Sequence, residues 1–538
     1  MLFHSLQFLL FLPLVFALYW SLPNLVGRLT SERGAQRSRQ VLLLLASCVF
    51  YMAWNPAPVL LIFYLATSDW LLGRAMEDAD YEGSRGNRLF QVQAVLVAAC
   101  WVPVVVYAEA LVVKGIAGVF LAVYAYFTVA ATFSKSLEKK QKRIITMSVV
   151  NNLTLLGLFK YADWITSIVV DTAAAFGVEL VYKPLGLLLP VGLSFVVFQC
   201  MSYTIDIYRG SLPARKSWLE VTLFISFFPQ IVAGPIVRAA DFLPQLDKPP
   251  ELTEHQGVRA LTRIALGMFK KLVIADLLAA NLVNRVFDTP GNYTGLEVIS
   301  ATFAYTAQIY YDFSAYSDIA IGCAALFGFT LRENFDKPYL SKNLFEFWRR
   351  WHQSLGRWLF DYLYVPLGGS RCSKTRTCWN LYVTMILGGI WHGANFGMIG
   401  WGAVHGLVLI GNRMLWWTFG KPSEDRPFYV DVITGLATFI VVMEARIVFK
   451  AETMAKSWEV FSAQFDTTMA APNMTPMLIG VMIAATIGHL LPHKFFDRVV
   501  ELLVETPIII RVALLLGLAL GIKEVANFEV QPFIYFQF

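Results

Sequence analysis

Charge is scarce in this 538-residue chain: Asp, Glu, Lys and Arg together make up 15% of it, where about a quarter is usual for globular domains. That excludes a disordered, self-solvating polymer. The net charge is only +6, and the basic residues fall in short clusters between apolar runs, so no nucleic-acid partner is expected. Cysteine is also scarce. Of Cys48, Cys100, Cys200, Cys323, Cys372 and Cys378, the first four lie in apolar runs; Cys372 and Cys378 share a basic loop with neither C-x-x-C spacing nor a nearby histidine. A zinc or disulfide framework is thereby excluded, and neither a metal nor a permanently bound cofactor is expected. No Ala-x-Ala site follows the apolar stretch 6–18, so it reads as a first membrane span and not as a cleaved leader. No internal repeat of spans or motifs is present.

Apolar sequence is what the chain has in abundance. Hydrophobic residues make up 57%, with 15 Trp and 41 Phe, many near the ends of apolar runs as an interfacial belt requires. The composition predicts an all-α polytopic membrane protein. Arg28, Arg33, Arg37 and Arg39 follow the first span, Arg74, Arg85 and Arg88 the third, and Lys135, Lys139, Lys140, Lys142 and Arg143 the fifth. The loop at Asn55-Pro56-Ala57-Pro58 has no positive charge and the next such loop only Lys114. This alternation puts the basic loops in the cytoplasm and the N-terminus outside.

A sixth span over 145–170 carries Lys160 and Asp163, and a seventh over 184–205 returns to Arg209, Arg215 and Lys216. Within 218–236, Pro229, Gly234 and Pro235 of FFPQIVAGPIVR would break a helix, which predicts a re-entrant element. Helical runs are expected over 261–287 and 296–327. Further apolar segments lie at 379–411, as one pass or a tight pair, and at 432–449, 475–492 and 507–522. The expected architecture is a single membrane domain of about eleven transmembrane helices plus re-entrant and amphipathic helices. It comprises N-terminal helices 1–143, a core 144–411 and C-terminal helices 412–538. The closing FIYFQF could anchor at an interface or plug a surface groove.

The densest chemistry lies in 334–405, which reads NFDKPYLSKNLFEFWRRWHQSLGRWLFDYLYVPLGGSR, an apolar run, GGIWHGANF and WGAVHG. At about 100° per residue, a helix over 344–362 gathers Trp348, Trp351, Leu355, Trp358, Leu359 and Tyr362 on one stripe. Arg349, Arg350, Gln353 and Arg357 fall opposite, as on a helix at a membrane interface. His352 falls at the margin of the apolar stripe and should point inward. His392 follows an apolar run and precedes Gly393, at lipid depth, where an ionisable group is costly unless it lines an enclosed cavity. A histidine kept from water stays an uncharged base and can take the proton of a hydroxyl attacking an activated acyl group. Trp351 N–H, Asn395 and loop amides are candidate donors to the developing oxyanion. His405 lacks such a frame and reads as structural.

A second constellation, YYDFSAYSDIAIG, sets Asp312 near Tyr316 and Ser314 near Asp318 at i and i+4. These residues could line a tunnel as substrate contacts or join helices as polar glue. Lys337, Lys342, Arg349, Arg350, Arg357, Arg371, Lys374 and Arg376 surround the inner mouth, as topological charge or as a cradle for the phosphates of coenzyme A or an acidic acyl carrier.

NFDKPYL, EFWRRWH, LFDYLYVPLGG and GGIWHGANF resemble motifs of the membrane-bound O-acyltransferases, with the alginate O-acetyltransferase branch the most similar and the teichoic acid D-alanyl transfer protein more distant. LPVGLSFVVFQCMSYTIDIYRG, FFPQIVAGPIVR, QIYYDFSAYSDIAIG and FIYFQF are also similar to that branch, so the resemblance covers nearly the whole chain. It implies helices around a central funnel in a bacterial inner membrane. By that likeness His352 and His392 match the histidine pair associated with acyl transfer. Acetyl-CoA or another acyl thioester is implied as donor, and a periplasmic SGNH-type partner modifying an exopolysaccharide as the receiving side. Several positions depart from the branch: Phe360 for Arg, Ala315 for Gly in DFSGYSD and Ser370 for Asn in GGNR. The stretch 444–450, EARIVFK, follows the usual GW-x-x-FRA only loosely. A secondary transporter or flippase, its buried His and Asp relaying protons, is the alternative from another class; D-alanyl transfer, or a scaffold that only recruits a secreted enzyme, would also use such a membrane body.

Overall fold

The computed structural model describes residues 1–538 except 2, 4, 27–30, 79–83, 108–110, 135, 181, 183, 424, 526–532 and 534–538. FIYFQF, apart from Phe533, lies outside the described residues, as do Arg28 and Lys135 of the basic loops. All regular structure among the described residues is helical. Among the described residues, five helices are long and apolar enough to cross a membrane: Val59–Glu77, Gly86–Val106, Val113–Thr132, Leu137–Ala175 and Phe428–Lys450. Pro476–Leu490 and His493–Glu505 form a pair bent by 92° that passes the same test together. Chain contacts divide the protein into two compact units, 1–232 with 236–250, and 233–235 with 251–538.

In the first unit the basic clusters lie on helix ends. Arg33, Arg37 and Arg39 sit within Glu32–Met52, and Lys139 to Arg143 within Leu137–Ala175. At 1.5 Å per residue the latter is about 58 Å long, longer than the roughly 30 Å hydrocarbon core requires, which leaves length for its charged first turns outside lipid. Buried polar pairs tie these helices together: Asp69 accepts from Ser148 Oγ at 2.6 Å and from Asn152 Nδ2 at 2.8 Å. The helix Trp218–Ser226 stops before the proline-rich stretch, and residues 227–235 run on without regular helix yet buried. Irregular backbone at membrane depth is tolerated only where protein covers it. Gly192, at φ +78°, makes that cover possible, because a Cβ there would stand 2.1 Å from the Ile231 carbonyl oxygen.

In the second unit, Glu254–Phe269 opens on a capping box between Thr253 and Gln256 and passes into wider turns over Lys270–Ala275. It packs on Gly295–Leu326 through reciprocal notches. A Cβ on Gly267 would meet the Ala315 carbonyl oxygen at 2.8 Å, and one on Gly322 the Ala260 oxygen at the same distance. Ion pairs lock the contact: Lys271 reaches Asp312 at 2.7 Å and Asp276 at 2.9 Å, and Asp318 takes Arg263 and Lys270. The apolar segment 379–411 is a tight pair, Lys374–His392 and Phe396–Phe419. Glycines again bring the backbones together, since a Cβ on Gly389 would stand 2.2 Å from the Met398 oxygen.

Two expected elements differ: the span read over 184–205 is helical only as Leu193–Tyr208, and a second element is not continuous. The helix read over 344–362 is broken into Leu344–Arg350 and Gln353–Leu359, with a wide turn over Phe360–Tyr364. Trp351 and His352 form the break, with His352 left-handed at φ +45°. Helical periodicity cannot register this, because the competing bonds come from a distant segment: Asp336 N donates to Arg350 O and Gln353 N to Asn334 O, each at 2.9 Å.

Candidate active site

His352 sits in this break, fully buried. Its Nδ1 lies 3.2 Å from Asn334 Oδ1, which also accepts from Ser354 Oγ at 2.9 Å and Ser354 N at 3.2 Å. Asn334 Nδ2 donates to Ser317 Oγ at 3.2 Å, and the Ser354 N–H, which can only donate, fixes the amide orientation by requiring Oδ1 on its side. An oxygen can only accept, so Nδ1 of a neutral ring carries the proton and Nε2 the lone pair. The ring packs edge-on to Phe313 at 4.6 Å.

His392 ends its helix, and Gly393 continues in extended backbone. Its ring is buried against Trp401 and Phe449, each 5.3 Å away. Trp391 joins the two sites, its indole lying 6.2 Å from His352 and 4.9 Å from His392. The two imidazoles thus flank a single indole, although 39 residues separate them in the chain only through a broken helix and a long apolar run.

The other expected site residues are dispersed. Trp351 is buried, stacked on Phe347 at 5.7 Å and covered by the Arg446 guanidinium at 4.2 Å. Asn395 caps the Phe396–Phe419 helix, its Oδ1 accepting from Met398 N at 2.9 Å. Asp312 is held by Lys271, Ser314 is buried beside it in sequence, and Tyr316 packs on Phe533 at 5.0 Å. Arg349 is exposed, and Arg350 pairs with Glu346 at 2.8 Å. His405 is buried against Trp401 at 4.6 Å and Trp348 at 5.3 Å.

Sequence reasoning missed Asn334, Ser354, Phe449 and Arg446 as neighbours of the site. For Arg446 a signal was available, a lone arginine inside an apolar helix; for Asn334 there was none, because its role depends on a fold-back.

The pattern described as MBOAT, membrane-bound O-acyltransferase family, matches residues 43–441. The chain belongs to that family. Relatives include the probable alginate O-acetylase AlgI of Pseudomonas aeruginosa, 38% identical over 64% of this chain and 65% of that protein. The protein of the same name from Pseudomonas putida is 35% identical over 74% of this chain and 85% of its own length. The peptidoglycan O-acetyltransferase of Helicobacter pylori is 31% identical over 63% and 67%. The match to the Pseudomonas aeruginosa protein thus spans slightly under two thirds of that relative. The family match covers 344–419 entirely, so both histidines of this membrane-bound O-acyltransferase fall inside it.

Proposed function

We propose that this family member moves an acetyl group from a cytoplasmic thioester donor, acetyl-CoA, across a bacterial inner membrane. The receiving side is a periplasmic SGNH-type partner that O-acetylates an exopolysaccharide such as alginate, and the N-terminus faces the periplasm. The observation that carries the reading is the pair of buried imidazoles on one indole, one with its tautomer set by Asn334. Support for the substrate class comes from the O-acetylating relatives.

In this reading an acceptor hydroxyl attacks the thioester carbonyl as His392 takes its proton. The tetrahedral intermediate collapses with loss of the thiolate, which recovers the proton, and His352 Nε2 accepts a hydrogen bond from the reacting groups. Such general-base participation contributes roughly 10²- to 10⁴-fold. Trp351 and Asn395 border the reacting centre, Asp312, Ser314 and Tyr316 line the approach, and Arg349 and Arg350 attract the donor phosphates.

The test is reconstitution of the full chain with labelled acetyl-CoA, comparing wild type with His392→Ala and His352→Ala. Thioester cleavage should fall at least about 100-fold in each. Cleavage surviving both substitutions would sink the catalytic assignment, and label crossing the membrane without cleavage would favour a transporter.

A further inference from the structure

Arg446 lies in the apolar helix Phe428–Lys450 and is only 2% exposed. A guanidinium does not shed its charge in a protein, so burying it at lipid depth is costly unless neighbours compensate. Two aromatic residues do so. The guanidinium lies over the Trp351 ring, 4.2 Å from its centroid, and donates to the Tyr339 hydroxyl. That hydroxyl in turn donates to the Thr306 carbonyl oxygen at 2.6 Å, and the Tyr339 ring packs 6.0 Å from Trp351. Phe347, stacked on Trp351 at 5.7 Å, and Phe335, edge-on at 5.1 Å, complete a box around the indole. Tryptophan is the best ring partner for a cation, and the attraction strengthens where water is absent.

Trp351 is also the residue before His352, and the two form the helix break. Helical periodicity favours a continuous helix there, and a left-handed histidine is strained, so the break persists only while its surroundings over-determine it. Backbone bonds from Asn334 and Asp336 hold its two flanks, and the boxed indole holds its centre. With the indole released, residues 351 and 352 would wind toward helix. Each helical residue turns about 100°, which would swing the imidazole off Asn334 and Trp391. We propose that Arg446 is a positioning residue for acyl transfer: anchored on Tyr339, it pins the Trp351 indole and so holds His352 in its left-handed seat beside Trp391. The same guanidinium lies 5.7 Å from Phe449, which packs on His392, so one buried cation stands a single ring away from each imidazole. That this seating matters for turnover rests on the acyl-transfer reading; the seating itself does not.

The experiment uses the purified full chain in detergent with isotope-labelled histidine, read by nitrogen NMR beside the acetyl-CoA cleavage assay. The chain has 7 histidines, and the His352 ring signals are those missing from His352→Ala. Arg446→Met keeps much of the side-chain bulk and removes the charge and the bond to Tyr339. Its His352 signals should shift or broaden, and kcat for thioester cleavage should fall about 10- to 100-fold, with the KM for acetyl-CoA within about twofold of wild type. Arg446→Lys, which keeps a cation for the ring, should restore the signals and part of the rate. If Arg446→Met does not fold, Tyr339→Phe removes only the hydroxyl that anchors the guanidinium and should show the same changes in smaller measure. His352 signals unmoved in whichever of these variants folds would overturn the proposal, as would a loss confined to KM or a Lys variant no better than Met. Signals that move while cleavage survives both Arg446→Met and His352→Ala would leave the seating in place and count against the acyl-transfer role instead.

Discussion

At the scale of single residues, the environment of His352 is set by an amide that only accepts at Oδ1. Asn334→Ala removes that acceptor, frees the ring to adopt the other tautomer and strands the Ser354 donors. Thioester cleavage should fall about 10- to 100-fold, as for other supporting partners of a functional histidine, with the protein still folded by its circular dichroism. A change no larger than twofold would mean that tautomer control is irrelevant. His405, by contrast, is buried among Trp348, Trp401 and Phe347 without a backbone break or fold-back to orient it.

At the scale of elements, close helix contact depends on missing side chains and on internal ion pairs. Gly389→Val would drive a branched side chain into the Met398 carbonyl, 2.2 Å from the Cβ position. Overpacking of this kind costs about 1–3 kcal/mol, measurable as a lower melting temperature in detergent; Gly411→Ala, where a Cβ meets nothing within 4 Å, is the control and should leave it unchanged. The Lys271 clamp makes a stronger demand. Lys271→Met leaves Asp312 and Asp276 without their shared cation in a buried site, a loss on the order of 3–5 kcal/mol, and the same melting assay should show it as the larger of the two effects.

At the scale of the whole molecule, acid sensitivity is predictable for groups outside the spans. Arg215 holds Asp247 in a two-pronged pair at 2.7 and 2.8 Å, and this bonding keeps the Asp247 carboxyl below the usual carboxylate range. A depressed folded-state value stabilises the protein above the ordinary aspartate pKa of about 4, and that contribution disappears as pH falls through the lower folded value. Asp247 is more than half exposed, so solvent screening limits the pair to about 1 kcal/mol at most. Asp247→Asn should therefore lower the melting temperature slightly at pH 7, with the difference from wild type shrinking as pH falls below ~4 and gone only below the lower folded-state value. A difference that persists unchanged into acid would assign the effect to packing. Membrane orientation is tested at this scale too: a cysteine placed at Lys139 should react only with reagents that enter the cytoplasm.

The apolar composition, the basic clusters between runs and the proline-rich interruption at 227–235 were enough to determine a helical membrane protein, because bilayer solvation allows few backbone solutions and each leaves a local mark. The burial of the two histidines was also legible, since a titratable side chain in an apolar run is conspicuous without coordinates. The break at Trp351 and His352, the role of Asn334, the ion-pair partners of Asp312 and Asp318 and the placement of Arg446 over Trp351 were decided only by tertiary structure. Each depends on hydrogen bonds, charges or ring faces brought together from segments far apart in the chain, and helical periodicity records only neighbours three and four residues away.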